Sequence, residues 1–281
     1  MNAQGTLRTL LPVGLGGFLL AGAGSASAQS VWLPPVGRVQ TGVQYVFETY
    51  SELFGARRQT VRLRDDVNQH TVFLTGEYGL SPHWALDATL GFVTTETRAF
   101  GPAFSTDSGL DDSRVGVRHC LLNEFEVGNE WLPTVTLRAG GIIAGTYEYL
   151  SPAGDGASGM ESSFLVGKVL PAWGIGLHSE VGYRVRENPV ADEYFAVMNV
   201  FKRFDDVVLS AGVRHTQAVS GLNLGGGRPF WPRLKEVTDQ FEGSLGWVSG
   251  SWTTQIFSAY VFNGKNTPTR LVMGVGVQWG F

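Results

Sequence analysis

The chain ends on an alternation. From Thr269 onward, Leu271, Met273, Val275, Val277, Trp279 and Phe281 fall on one parity, and Arg270, Val272, Gly274, Gly276, Gln278 and Gly280 on the other. A period of two puts one set on each face of a β-strand. In a soluble sheet the large apolar set would face a core. In a membrane barrel it faces lipid, and the small and polar set faces the interior. The pattern recurs upstream. Trp173, Ile175, Leu177, Val181, Tyr183 and Val185 alternate with Gly176, His178, Glu180, Gly182, Arg184 and Arg186, and Trp84, Leu86, Ala88, Leu90 and Phe92 with Asp87, Thr89 and Gly91. Val39, Val43, Tyr45 and Phe47 repeat it against Gln40, Gly42, Gln44 and Glu48, and further apolar faces run through Phe241, Leu245 and Trp247 and through Trp252, Ile256, Tyr260 and Phe262. In 160–170 and 193–204 both parities carry apolar residues, and the faces are not separated there. About 12 such segments have the length that crosses a bilayer when tilted.

The first residues read as an export signal. Arg8 is the sole charge in a leader whose apolar stretch runs from Leu10 to Leu20 and closes on Ala26-Ser27-Ala28, the small-x-small pattern of a signal peptidase site. Cleavage after Ala28 divides the chain into a signal peptide, 1–28, and one barrel, 29–281. No Cys stands at the cleavage point to carry a lipid, and the single Cys120 rules out an intramolecular disulfide framework. Beyond the leader no apolar run reaches the roughly 18 residues of a membrane helix, so any spanning must use strands. Thirty-eight Gly and 33 aromatic residues (8 Trp, 8 Tyr, 17 Phe) against 16% charged residues suit such a chain. A net charge of −4 offers nothing to nucleic acid.

Connection lengths and tryptophans agree with a barrel. Short links fall at 80–83, 170–172, 204–206 and 248–251, and long polar ones at Ser51–Asp66, Ala99–Gly109, Glu148–Gly159 and Ala218–Glu236. Outer-membrane barrels have short periplasmic turns and long external loops; Asn123–Glu130 is the exception, long for the periplasmic side. Trp84, Trp131, Trp173, Trp247, Trp252 and Trp279 lie beside the short links or the C-terminus, as an indole at headgroup level requires. Trp32 falls in the N-terminal lead and Trp231 in a long loop. A sheet in hydrocarbon can leave no edge unpaired, so it must close, and an even strand number puts both termini on the periplasmic side. The expectation is an all-β, antiparallel, up-and-down transmembrane barrel of about 12 strands in the outer membrane.

Two stretches resemble the outer-membrane transporter family linked to the meta-pathway of phenol degradation. Ser108-Gly109-Leu110-Asp111-Asp112-Ser113-Arg114-Val115-Gly116-Val117-Arg118 is similar to its Gly-Leu-Gly-Asp loop-to-strand passage, with Asp111 where Gly is usual. Pro133 to Gly145 is similar to its strand ending in Pro-Thr-Gly, with Ile143-Ala144 in place of Pro-Thr. The resemblance implies a barrel that passes small, often aromatic or hydrophobic, compounds across the outer membrane without a cofactor. The terminal Phe281 likewise resembles the signature by which the barrel-assembly machinery recognises its clients, which makes that machinery and the outer-membrane lipids the expected partners.

By parity the lumen carries Arg38, Arg114, Arg118, Arg138, Arg184, Arg186, Arg214 and Arg270 with Glu48, Glu77, Asp87, Glu180 and Glu242. Two readings stand. The charges pair across the interior and brace the wall, or the arginines form a track for anions such as aromatic carboxylates. For a track, Arg184 and Arg186, with Arg114 and Arg118, lead, because each pair lies on one face. Arg228, Phe230 and Trp231 make an unusually aromatic external loop, which either folds into the mouth as a constriction or rests on the rim.

Other chemistry is weakly signalled. His215 faces lipid by parity with Ser220, Gly221 and Asn223 following, but the close His-x-Ser pairing of a barrel hydrolase is absent. His70, His83, His119 and His178 lack zinc-ligand spacing. Gly225-Gly226-Gly227 has no following Lys-Ser/Thr and reads as an external loop rather than a phosphate cradle. Asp107, Asp111, Asp112 and Asp155 read as loop solubility before calcium ligands, and Cys120 as an inert inward side chain. The expected function is passive uptake of small solutes through the barrel, with a lipid-modifying barrel enzyme or a plugged structural barrel as the alternatives.

Overall fold

A computed structural model describes residues 30–97, 106–127, 131–146, 156–223 and 233–281. The signal peptide and the loop residues Arg228, Phe230 and Trp231 lie outside them. The strands are β1 (Val39–Phe54), β2 (Thr60–Ser81), β3 (Trp84–Thr97), β4 (Thr106–Leu110), β5 (Ser113–Leu122), β6 (Thr134–Ile143), β7 (Gly159–Leu170), β8 (Ile175–Arg186), β9 (Glu193–Phe204), β10 (Val207–Ala218), β11 (Val237–Ser249), β12 (Trp252–Lys265), β13 (Thr267–Pro268) and β14 (Leu271–Gly280). Apart from the short β4 and β13, each pairs antiparallel with the strands before and after it, and β1 pairs with both β2 and β14, which closes the sheet. β4 continues the line of β5 against β3, and β13 continues that of β14 against β1. The wall is therefore a closed antiparallel barrel of 12 staves.

The two faces divide as the alternation requires. Leu245, Ile256, Val275, Tyr45, Val72 and Phe92 follow one hydrogen-bonded row across six strands, and all six are exposed on the outer wall. An apolar belt of this extent would drive association in water and is at home in hydrocarbon. At the end with short turns, periplasmic in barrels of this kind, Trp84, Trp131, Trp173, Trp247, Trp252 and Trp279 are all exposed. Trp252 stacks on Trp279 at 5.3 Å between centroids, and Trp84 on His119 at 4.1 Å. At the opposite rim Tyr194 Oη donates to Gln217 Oε1 at 2.6 Å, and within the belt Tyr45 Oη and His70 Nδ1 share a hydrogen bond of 2.7 Å.

Several expectations are corrected. Ser51–Asp66 is not a long loop: β1 and β2 run on past the membrane as a paired hairpin, with Leu53 opposite Val61 and only Gly55–Gln59 turning. On its β2 side, Thr60–Asp66, both faces of that extension are largely exposed, so its polar composition hides the strand. Within Ala99–Gly109, Thr106–Leu110 is strand β4. Asn123–Glu130 is long because it holds a helical turn, α1 (Glu124–Val127). Arg38 precedes β1 and is exposed at the rim, not in the lumen. Trp32 does lie in the N-terminal lead, but that lead turns inward, and the indole is 6% exposed inside the barrel.

Candidate lumen site

The inward side chains of the seven candidates converge. Arg114 and Arg118 come from β5, Arg138 from β6, Glu180, Arg184 and Arg186 from β8, and Arg214 from β10, and all are buried. One cross-strand row organises three of them, Arg118, Arg138 and Arg184: Glu77, Asp87, Gly116, Gly140, Glu161, Arg184 and Glu193 lie side by side from β2 to β9. The neighbouring row carries Arg118 beside Arg138. Two glycines in the acidic row leave the gap those arginines reach into. A Cβ at Gly116 would stand 2.8 Å from Arg138 Nη2, and one at Gly140 3.3 Å from the same atom.

The charges then alternate across the lumen. Arg118 donates to Glu77 at 2.5 Å and lies 3.7 Å from Asp87, and Arg138 bonds Asp87 at 2.7 Å and also Glu161. Glu161 passes to Arg184, which reaches Glu193 and sits 4.5 Å above the Phe195 ring. Arg186 pairs with Asp112, Arg214 with Glu242 at 2.7 Å, and Arg270 with Glu48 at 3.2 Å. Glu180 is buried between cross-strand Leu165 and Val197. Cations that share carboxylates in this way brace opposite staves, because removing one partner would leave a buried charge alone. Arg114 alone of the six candidate arginines makes no ion pair with any described residue.

The periplasmic end is filled by the chain's own lead, which sequence reasoning missed. Ser30–Trp32 enters the barrel, and Val31 and Trp32 pack on inward Leu165, Val169, Phe201, Val208 and Val248. Trp32 meets Phe201 edge-on at 5.9 Å. Polar groups anchor it on every side. Arg118 Nη1 donates to Ser30 O at 2.7 Å, Thr136 Oγ1 to Val31 O at 2.7 Å, and Trp32 Nε1 to Glu124 Oε1 at 3.0 Å. Glu124, at the start of α1, also takes Lys168 Nζ at 3.0 Å and Val169 N at 3.1 Å. Gly167 makes the seat possible, since a Cβ there would fall 2.3 Å from Val31 Cγ1. The signal was present in the ambiguous stretches. β7 and β9 are apolar on both parities because their inward ends meet this lead rather than water.

The remaining candidates are set apart. His215 faces outward, and among the described residues its side-chain hydrogen bond is to Asp239 Oδ1, at 2.6 Å, with Tyr194 against its ring. No serine completes a catalytic set there among the described residues. Cys120 is buried, its Sγ–H directed at Leu122 O at 3.3 Å. Among the described residues no cluster of His, Cys, Asp or Glu is arranged to hold a metal.

No protein-family model matches the chain, and no curated protein matches its sequence. Among solved structures it is similar to an outer membrane channel from Pseudomonas putida F1, at 13% identity and a TM-score of 0.74, over 92% of this chain and 100% of that one. It is also similar to the KdgM porin (10% identity, TM-score 0.48, 85% and 99% covered) and to the CymD monoaromatic hydrocarbon channel (13%, 0.47, 97% and 98%). Identity this low speaks for the fold alone, a closed antiparallel barrel shared with the first of these.

Proposed function

We propose that the protein is a passive channel of the outer membrane for small hydrophobic or aromatic solutes, akin to the transporters linked to the meta-pathway of phenol degradation. In this reading the signal peptide is removed after Ala28, Phe281 presents the finished barrel to the assembly machinery, and solutes pass Arg114, Arg118, Arg138, Glu180, Arg184, Arg186 and Arg214, with the Arg228–Trp231 loop at the mouth. The observation that carries it is the closed barrel itself, whose outer wall is apolar and whose periplasmic end is stopped by Ser30–Trp32, a segment that forms no part of the wall. The neighbour described as an outer membrane channel, matched over its whole length, supports the same function.

The test is single-channel conductance of the refolded chain lacking residues 1–28 in planar bilayers, with reversal potentials under a salt gradient. Conductance that rises when Ser30–Pro35 is deleted supports a path through the barrel. Silence of both proteins, with folding confirmed, removes it. A plugged structural barrel is the second reading, favoured by the burial of nearly every inward side chain, and it predicts that silence. The lipid-modifying alternative rests on His215, and deacylase activity that survives His215→Ala would remove it.

A further inference from the structure

We propose that Arg114 is the docking point for the carboxylate of a small apolar monocarboxylate, aromatic or aliphatic. This rests on the channel reading and names the solute class. Arg114 is 9% exposed, has no ion pair or hydrogen bond to a described residue, and its Nε is buried without a partner. A guanidinium left so in a poorly solvated site costs free energy until an anion reaches it. Two of the three nearby carboxylates hold other cations, and the third, Asp111, stands in the neighbourhood of Arg114 without forming an ion pair to it. Glu161 holds Arg138 and Arg184, Asp112 holds Arg186, and Asp111 Oδ1 accepts from Asp112 N at 2.8 Å.

The surroundings define the rest of the ligand. The row through Arg114 reads Thr89, Arg114, Ile142, Gly159 and Arg186, so a second guanidinium shares the row and no acid interrupts it. Ile142, the cross-strand neighbour of Arg114, is buried. Two residues beyond Thr89 on β3, Gly91 is covered by Asp111 Cβ and the Phe73 ring, which would lie 2.7 Å and 2.9 Å from a Cβ there. Phe73 in turn packs on Val46, Phe257, Ala259 and Val272, an apolar patch built from β1, β12 and β14. Above the bracing ladder the lumen thus offers a planar cationic fork on one wall and an aromatic–aliphatic surface on another. The fork matches a carboxylate in bidentate fashion. A neutral hydrocarbon or phenol would leave the charge uncompensated.

The experiment is calorimetric titration of the refolded protein in detergent with benzoate, its neutral counterpart benzamide, and acetate, for the wild type and Arg114→Met. Benzoate should bind at least about tenfold more tightly than benzamide or acetate, a difference of about 1.4 kcal/mol. Arg114→Met should remove that preference while melting at or above the wild-type temperature, since it deletes an uncompensated buried charge. If Arg114→Met fails to fold, Arg114→Lys, which keeps the charge and loses the fork, should weaken benzoate binding. Benzoate affinity indifferent to substitution at Arg114, or equal binding of benzamide or acetate, overturns the proposal. Conductance separates the two readings: a conducting barrel without benzoate preference keeps the channel and loses the site, whereas a silent barrel that prefers benzoate keeps the site and loses the channel.

Discussion

Trp32 Nε1 donates its hydrogen bond to Glu124 Oε1 across 92 residues of sequence, and with it the N-terminal lead is fastened to the periplasmic turn between β5 and β6. The indole is 6% exposed and packs edge-on against Phe201. Truncation of a buried aromatic of this size costs about 3–5 kcal/mol where the structure around it holds. The lead is not part of the wall, so Trp32→Ala is expected to release the lead while the barrel stays folded. Limited proteolysis should then cut within Val31–Val36, and bilayer conductance should rise. Unchanged conductance with the lead shown to be cleaved would mean that the obstruction lies elsewhere.

Gly167→Val tests the same seat from the wall. A side chain at 167 meets Val31 and the Trp32 ring with no room to yield, at 2.3 Å and 3.0 Å from its first carbon. The variant should reproduce the phenotype of Trp32→Ala with its thermal unfolding near that of the wild type. A conductance like that of the wild type would show that the lead can shift without leaving.

Asp87 is shared by Arg118 and Arg138, both fully or almost fully buried. Asp87→Asn leaves two guanidiniums with one shared carboxylate fewer, and breaking a buried ion pair from one side is destabilising by about 3–5 kcal/mol. The urea midpoint in detergent should fall accordingly. Adding Arg138→Met should restore part of the loss, because it removes the charge that Asp87→Asn strands. A double variant less stable than the sum of its parts would count against a bracing role.

Val275 sits at the middle of β14 on the outer wall, between Ile256 and Tyr45. Val275→Arg places a charge in hydrocarbon at a cost of about 2–4 kcal/mol if the belt faces lipid. Folding yield into vesicles measures this directly. A neutral effect would mean that this face is not in the membrane.

The wall was legible because lipid and lumen impose opposite demands on alternate residues, as Val275 and Gly276 show. Strand number, the tryptophan rim and the inward direction of Arg114, Arg118, Arg138, Arg184, Arg186 and Arg214 all follow from that period. Pairing did not. Whether Arg138 meets Asp87, and that Arg114 forms no ion pair with a described carboxylate, depends on cross-strand register, which a single sequence does not carry. The β1–β2 hairpin was hidden because its β2 side is wet on both faces, and the entry of Trp32 because one aromatic in a lead has no periodicity. The apolar double face of β7 and β9 was the trace it left.

Arg118 belongs to two assemblies at once, holding Glu77 through Nη2 and the Ser30 carbonyl through Nη1. Ser30–Trp32 therefore lacks its full set of partners until β5, β6, β7, β9, β10 and β11 stand in place, since each of these supplies part of its seat. The stretch that directly precedes the first strand is bound to be among the last to find its position. The periplasmic end of the wall therefore stands before its stopper is fully seated, and assembly passes through a barrel whose lead is still unseated.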